Sequence, residues 1–435
     1  MKILKFIAII NIFICVTYLI GCSNKVNENS QGYLDDLDLI DTTLIMHTSK
    51  NLFINCSQEE YDNELNSLKN DVKTKYMTNN EINCRIKKLC SMLNNSHISY
   101  TPANSEYKIF PIQGRYFGDD FYITNIEQKN SEALGGKLIE INDIPFSDIE
   151  EKYDSIISNE NKQRLRSKIQ QSSFKDCEFD YLGILRKKNT FKIKLLNGEI
   201  KKFIINAIDI SEIKNLNNNS NTFLKTNISS QIRYKENDVY WYTIDAKNRI
   251  LYFQYNLCAD KFDNQFYSEH KFDDLPSFTD FESKLHEYLK SHITEYDKVV
   301  IDVRNNQGGY EKHFNDFIEN NLQLLNSKKV YMLMSKNTFS AATMAIDVAV
   351  EKCNAIMVGE ETGGPKKLSS CNTITLPNMK GTLIYANSEE GYENTYAGKN
   401  SISDLSGLIP DINILHTIDN YIIGKDEDYE AVIND

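Results

Sequence analysis

The sequence predicts an α/β fold, and its segment 299–365 provides the main support. Val299–Val303 is an apolar, β-branched run between charged residues, as expected of a buried strand. Two more short apolar runs follow, at Val330–Met334 and Ala355–Gly359, and a helix is predicted to begin at Ser340 between them. The first and third runs end in glycine-rich loops, and a small polar loop follows the second. This is the pattern of a sheet whose functional loops gather at one edge.

Ser340 is placed where a serine nucleophile could be activated. Small and apolar residues follow it without glycine or proline, which predicts a helix. The first N–H groups of a helix, beginning here with Ala341, have no partner inside the helix and can stabilise an oxyanion. The paired Gly308 and Gly309 could supply another such donor. Alternatively, Ser340 only caps the helix; its combination with the glycine turns favours a nucleophile, which needs a base nearby.

Three segments of this region resemble the core of the carboxy-terminal processing (tail-specific) serine peptidases and their tricorn-core relatives. The segments read VVIDVRNNQGG, NTFSAATMA and AIMVGEETGG. The resemblance implies a crotonase/ClpP-like α/β catalytic core in which Ser340 is the nucleophile. It also implies an oxyanion hole formed by Gly308, Gly309 and Ala341. No metal or cofactor is implied.

The first 40 residues predict export and a lipid anchor. Two lysines lie within the first five residues, and Phe6–Ile20 is an apolar run too short to span a bilayer comfortably. The following Leu-Ile-Gly-Cys sequence resembles a bacterial lipobox. Residues 1–21 are therefore predicted to be a lipoprotein signal peptide, with Cys22 lipidated at the extracytoplasmic face of the cell membrane. An uncleaved signal anchor is the alternative. Residues 22–40 are predicted to be a polar tether.

Composition and cysteine spacing narrow the classes of function. The formal net charge is −12, and no basic patch indicates a nucleic-acid partner. Of nine cysteines, seven remain once Cys15 and Cys22 are set aside, and they are scattered singly. Neither a zinc site nor a dense disulfide framework is predicted, although one bridge stays possible. The sequence does not indicate an oligomeric state.

Residues 41–105 are predicted to form a helical region that ends in a candidate general base. Thr78 and Glu81 have the spacing of a capping box before an amphipathic helix. Ser96 and His97 follow that helix, in a loop of the kind that often holds catalytic residues. Taken alone, His97 could be an ordinary surface histidine. The resemblance to the tricorn-type branch implies that His97 is the general base and Ser96 an auxiliary hydroxyl.

Residues 106–206 are predicted to form a PDZ-like, β-rich domain. Strands are predicted at Phe121–Thr124 and Lys137–Asn142, around a glycine turn. The second strand and its flanks partly resemble a PDZ segment, a module that binds an extended peptide as an added strand. The segment Arg115–Gly118 lacks the usual Gly-Leu-Gly-Phe form of a carboxylate-binding loop, so peptide binding stays open. Residues 207–237 are predicted to be a linker.

The catalytic core is predicted to span residues 238–416, with a C-terminal tail at 417–435. Within the core, Asp404 lies three residues before a Gly-x-x-Pro-Asp sequence. Family members carry an acidic residue there, which implies that Asp404 orients the His97 imidazole. A turn-forming aspartate is the alternative.

One branch of this family, the Ser-Lys branch, uses a lysine base at the end of a Gly-Glu-x-Thr-x-Gly-Lys turn. The matching turn here is residues 359–365, and its last position decides between two possible bases. Pro365 occupies that position and Lys366 comes one residue late, which favours Ser340–His97–Asp404 over Ser340–Lys366. The sequence thus predicts an exported, lipid-anchored serine endopeptidase that hydrolyses unfolded or extended polypeptides through an acyl-enzyme. The alternative is a non-catalytic peptide- or ligand-binding surface lipoprotein on the same fold.

Overall fold

The computed structural model describes residues 29–47, 53, 56–103, 107–209, 238–261, 263 and 275–435. The predicted signal peptide with Cys22 lies outside the described residues, as does most of the predicted linker. Among the residues that are described, no helix has the length and apolar character needed to cross a membrane. The seven cysteines in these ranges are all free thiols.

A six-stranded sheet organises the part of the chain after residue 238. Its strands in chain order are β8 (Tyr240–Asp245), β9 (Ile250–Tyr255), β10 (Lys298–Asp302), β11 (Lys329–Met334), β12 (Ile356–Gly359) and β15 (Ile412–Asn413). The spatial order is β15-β12-β11-β10-β9-β8. All neighbours are parallel except the hairpin β8–β9, which is antiparallel. The carboxyl ends of β10, β11 and β12 therefore meet at one edge, as the sequence predicts.

Helices cover both faces of this sheet. On one face lie α7 (Phe278–Ser291), α8 (Lys312–Leu325) and α9 (Ala341–Cys353), which bury residues such as Val299 and Ile301. On the other face α11 (Glu427–Asn434), which follows α10 (Ile418–Ile422), packs Tyr429 and Val432 against the alternate residues of the same strands. Residues 417–435, predicted to be a tail, thus form part of the packed fold.

The N-terminal region packs three helices on a three-stranded sheet. The helices are α1 (Ser30–His47), α2 (Gln58–Thr74) and α3 (Asn79–Ser91), and the sheet has the order β1-β14-β13 from Ser99–Thr101, Thr382–Glu393 and Lys367–Thr375. The capping box of Thr78 and Glu81 is confirmed. The tether prediction is wrong from residue 30 onward, because Leu37, Ile40 and Leu44 of α1 are fully buried in this core.

The predicted β-rich domain contains an antiparallel sheet and three helices. Its strands are β2 (Ile112–Phe117), β3 (Asp120–Ile126), β4 (Lys137–Ile141), β5 (Ile144–Pro145), β6 (Thr190–Lys194) and β7 (Ile200–Ile204). The main order is β2-β3-β4-β6-β7, with β5 paired to β4. The helices are α4 (Phe146–Asp154), α5 (Lys162–Gln171) and α6 (Asp176–Tyr181), and all three contribute to one apolar core. The α/β fold class is confirmed.

Candidate active site

Ser340 and His97, which are 243 positions apart in the chain, lie in hydrogen-bond contact. The distance from Ser340 Oγ to His97 Nε2 is 3.0 Å. Ser340 belongs to the turn between β11 and α9, and His97 belongs to the loop between α3 and β1. His97 is buried, whereas Ser340 is partly exposed to solvent. A hydroxyl in contact with an imidazole can lose its proton to the ring as it attacks an electrophile.

The backbone of Ser340 has the conformation of a strained nucleophile turn. Its φ of 54° and ψ of −132° lie in a region that residues with a side chain rarely adopt. The hydroxyl makes no capping hydrogen bond to α9. The simple capping role therefore does not account for this serine. The turn instead presents Oγ to His97, as the sharp strand-to-helix turn of an α/β-hydrolase presents its serine.

The two predicted glycines have different roles. The N–H of Gly308 donates to Asn306 Oδ1 at 2.8 Å, so it is not available to an oxyanion in this arrangement. Gly308 instead allows close approach, since a Cβ at its position would lie 2.6 Å from the Ser340 Cβ. Among the described residues, no acceptor takes the N–H of Gly309 or of Ala341. These two groups remain the candidates for oxyanion donors.

A stack of three planar groups fixes the His97 ring. Phe339 lies against the imidazole with 4.8 Å between ring centroids. The Arg164 guanidinium lies over the Phe339 ring, 3.4 Å from the centroid of that ring. Burial, together with the positive charges of Arg164 and Lys168, lowers the pKa of His97 to about 3. The ring is therefore neutral at neutral pH and able to accept a proton.

Ser96 connects this loop to a partly buried carboxylate that the sequence analysis missed. The Ser96 hydroxyl donates to Glu160 Oε2 at 2.5 Å, and the Ser96 N–H donates to Glu160 Oε1 at 2.7 Å. Burial raises the pKa of Glu160, while the two hydrogen bonds and the charge of Arg164 oppose that rise. The next N–H along the chain, that of His97, donates to Asn95 Oδ1 at 2.9 Å. The backbone N–H groups of Ser96 and His97 are thus both held by side-chain oxygens.

Asp404 and Lys366 do not join the Ser340–His97 pair. The Asp404 carboxylate forms an ion pair with Lys367 at 2.8 Å, and 54% of its side chain is exposed. No described residue makes a hydrogen bond with Nδ1 of His97, so the orienting contact predicted for Asp404 is not formed. Lys366 Nζ lies 3.4 Å from Glu393. Its ammonium is thus directed to a carboxylate rather than to the serine.

Helix α5 of the β-rich domain forms one wall of the site. Arg164 Nη1 donates to Gln307 Oε1 at 2.9 Å, and Ser167 Oγ donates to Asn337 Oδ1 at 2.9 Å. Gln307 lies just before Gly308, and Asn337 lies shortly before Ser340. Both loops of the site are therefore hydrogen-bonded to this helix. Glu160, Arg164 and Lys168 recur every fourth position, so a helical face was visible in the sequence. The surface against which this face packs could not be identified from the sequence, because its contacts are with residues far away in the chain.

In the part of the chain that the structure describes, no cluster of histidine, cysteine and carboxylate side chains could hold a metal ion.

Solved structures with the same fold include those of mature CPAF. One, complexed with lactacystin, matches with a TM-score of 0.61 and 13% identity, covering 93% of this chain and 97% of that chain. A second structure of mature CPAF matches with a TM-score of 0.60 and 14% identity, covering 93% and 96%. The chain has the CPAF fold. A photosystem II D1 C-terminal processing protease also matches, with a TM-score of 0.37 and 8% identity.

The CPAF match confirms the predicted resemblance at the level of the fold. It covers more than nine-tenths of each chain. No protein-family model and no curated protein matches the chain. Any activity is therefore to be inferred from the geometry of the site.

Proposed function

We propose that this protein is a serine peptidase that cleaves extended polypeptides through an acyl-enzyme. The single observation that carries the proposal is the 3.0 Å contact between Ser340 Oγ and His97 Nε2. The strained Ser340 turn and the two unpaired N–H groups beside it add support. A protein that only bound peptides would have no need for this combination.

The reaction follows from these positions. Ser340 Oγ attacks the carbonyl carbon of a peptide while its proton passes to Nε2 of His97, and the carbonyl oxygen becomes an oxyanion near the N–H groups of Gly309 and Ala341. When the tetrahedral intermediate collapses, the C–N bond breaks and His97 gives the proton to the leaving amine. Water then repeats the attack on the acyl-enzyme, with His97 again as the base.

The acidic support for His97 is assigned to Glu160 instead of Asp404. Glu160 does not contact the ring; it fixes Ser96, whose peptide group leads directly into His97. It therefore acts as a positioning residue. Arg164 acts similarly through Phe339.

The test is hydrolysis of a fluorescently labelled, permanently unfolded protein. Ser340→Ala and His97→Gln are each expected to lower kcat/KM by about 10³-fold or more. The first substitution removes the nucleophile, and the second removes the group that accepts and returns its proton. Lys366→Met is the matched control and is expected to retain activity. An active His97→Gln enzyme with an inactive Lys366→Met enzyme would establish a lysine base. A wild-type protein that binds but never cleaves the substrate would establish the non-catalytic alternative.

Export and lipid anchoring at Cys22 are also proposed, on the sequence alone. Cys22→Ala is expected to prevent incorporation of labelled palmitate and to release the protein from membranes. Palmitate labelling of the Cys22→Ala protein would contradict the assignment.

A further inference from the structure

A cavity lies beside the loop that contains His97, and Ser96 of that loop is one of its lining residues. It has a volume of about 240 Å³ and is partly open to solvent. Its walls come from α3, from the loop that contains Ser96, and from α4, α5 and α6. It therefore lies between the N-terminal region and the β-rich domain, and nothing in the proposed reaction uses it.

The cavity combines cationic groups with an apolar floor. Three of its lining residues are lysines: Lys87, Lys168 and Lys175. The floor includes Ile156, Ile169 and Phe174. One carboxylate is present, that of Glu178. Three ammonium groups against one carboxylate leave the cavity with an excess of positive charge when all are ionised, which favours an anionic ligand.

Two of the lysines are already engaged. Lys87 Nζ lies 2.8 Å and Lys175 Nζ 3.5 Å from the same Glu178 oxygen. Burial opposes ionisation of Glu178, but the two lysines outweigh it and lower the pKa of that carboxyl. Glu178 therefore stays charged and neutralises one positive charge of this pair.

Lys168 and Tyr153 supply the groups that still need a partner. No described residue forms a hydrogen bond or ion pair with the Lys168 ammonium. The Tyr153 hydroxyl is buried, with 4% of the residue exposed, and makes no hydrogen bond of ordinary geometry with any described residue, although the Glu178 carboxylate lies close to it. Burial and the charge of Glu178 raise the pKa of Tyr153 well above its ordinary range. It is therefore a neutral donor, and a buried donor without an acceptor is costly.

We propose that this cavity binds a small carboxylate with a short apolar tail, whose head group is held by Lys168 and Tyr153. The apolar floor accommodates the tail, and the hydroxyl of Ser99 or Thr101 lines the remaining wall. The head group could belong to a free acid or to the C-terminal residue of a peptide. The proposal does not depend on peptidase activity, and its test uses the Ser340→Ala protein.

Protonation of Lys168 controls the affinity. Charged groups that face it or share its cavity are Arg164, Glu160, His97, Lys87, Lys175 and Glu178. The charge of Arg164 and burial lower the pKa of Lys168 to about 7, and Glu160 opposes this shift. A bound carboxylate favours the protonated form, so binding takes up a proton near neutral pH, and affinity falls as the pH rises through 7.

The experiment is calorimetric titration of the Ser340→Ala protein with hexanoate, with hexanamide as the uncharged probe. Hexanoate is expected to bind with a Kd on the order of 1 mM or tighter, and hexanamide much more weakly. Lys168→Met is expected to reduce the affinity by about tenfold or more, and Tyr153→Phe several-fold. Lys162→Met is the matched control, because Lys162 lies on the same helix but is exposed. Lys168→Arg should bind with no loss between pH 7 and 9.

The outcomes separate the alternatives. Equal binding of hexanamide, or unchanged binding in both Lys168→Met and Tyr153→Phe, would overturn the proposal, as would the absence of any hexanoate binding. Binding of acetyl-dileucine as well as hexanoate would identify a peptide C-terminus as a source of the carboxylate. Binding of hexanoate alone would identify a free acid.

Discussion

Gly308→Ala is expected to disable Ser340 while leaving the chain folded. A Cβ at residue 308 would lie 2.6 Å from Ser340 Cβ, 2.9 Å from the Phe339 carbonyl oxygen and 3.0 Å from the Ala341 nitrogen. Ordinary carbon contacts are about 3.5–4 Å, so the Ser340 turn must move by roughly 1 Å. A displacement of about 1 Å in a reacting group can cost on the order of 100-fold in rate. The same movement would disturb the Ala341 N–H.

The substitution also has a conformational cost. Gly308 has a φ of +99°, where a side chain costs about 1–2 kcal/mol. Gly198→Ala is the matched control, because its φ is +86° but no neighbouring atom lies within 4 Å of the added Cβ. It is expected to show a similar conformational cost without loss of activity.

The assay pairs kcat/KM on the unfolded substrate with urea unfolding of both variants. Gly308→Ala should lose about 100-fold in kcat/KM and still unfold cooperatively, whereas Gly198→Ala should match the wild-type rate. If Gly308→Ala stays within about tenfold of wild type, the close approach of this glycine to the serine has no part in catalysis, and the argument is refuted.

Three further predictions follow from the contacts around the site. Glu160→Ala leaves the Ser96 N–H without its acceptor, so it should lower the free energy of unfolding by about 1–3 kcal/mol and slow catalysis. Glu160→Gln should lower the free energy of unfolding by less. Equal losses for the two variants in chemical denaturation would contradict this. Arg164→Gln removes a charge that lowers the pKa of His97, so the acid limb of the kcat/KM profile should move to higher pH, whereas Arg164→Lys should shift it less. Burial opposes charge on His416, but Asp428 and Glu360 raise its pKa to about 10. His416→Ala should therefore cost about 3 kcal/mol of unfolding free energy below pH 6.5, and the loss should shrink as the pH approaches 10.

The burial of His97 also sets the direction of its own pH effects. Its pKa is lowered to about 3 from 6.5, so the unfolded chain takes up a proton on this group before the folded chain does. The associated stability is complete above pH 6.5 and is lost as the pH falls toward 3. The base itself should remain unprotonated, and the enzyme active, well below pH 6.5.

The core was predictable because its signals are local. The apolar runs before Gly308 and Ser340 form strands at the predicted places, since a buried parallel strand leaves an apolar run that few other elements produce. The Thr78–Glu81 capping box was similarly visible, because both members lie three residues apart.

Other features depend on distant partners or were hidden by composition. In α1 the apolar positions Leu37, Ile40 and Leu44 had helical spacing, but the polar residues just before them favoured a tether. The carboxylate at Ser96 could not be chosen from the sequence, because Glu160 approaches from 64 positions away. Asp404 matched a family pattern in the sequence, yet in the structure its carboxylate forms an ion pair with Lys367 instead of contacting His97.

The most direct test of the Ser340–His97 pair is reaction with a fluorophosphonate, located by mass spectrometry. The account predicts a single adduct on Ser340 and a labelling rate reduced by about 100-fold or more in His97→Ala. An adduct on another residue, no adduct at all, or an unchanged rate in His97→Ala would contradict it.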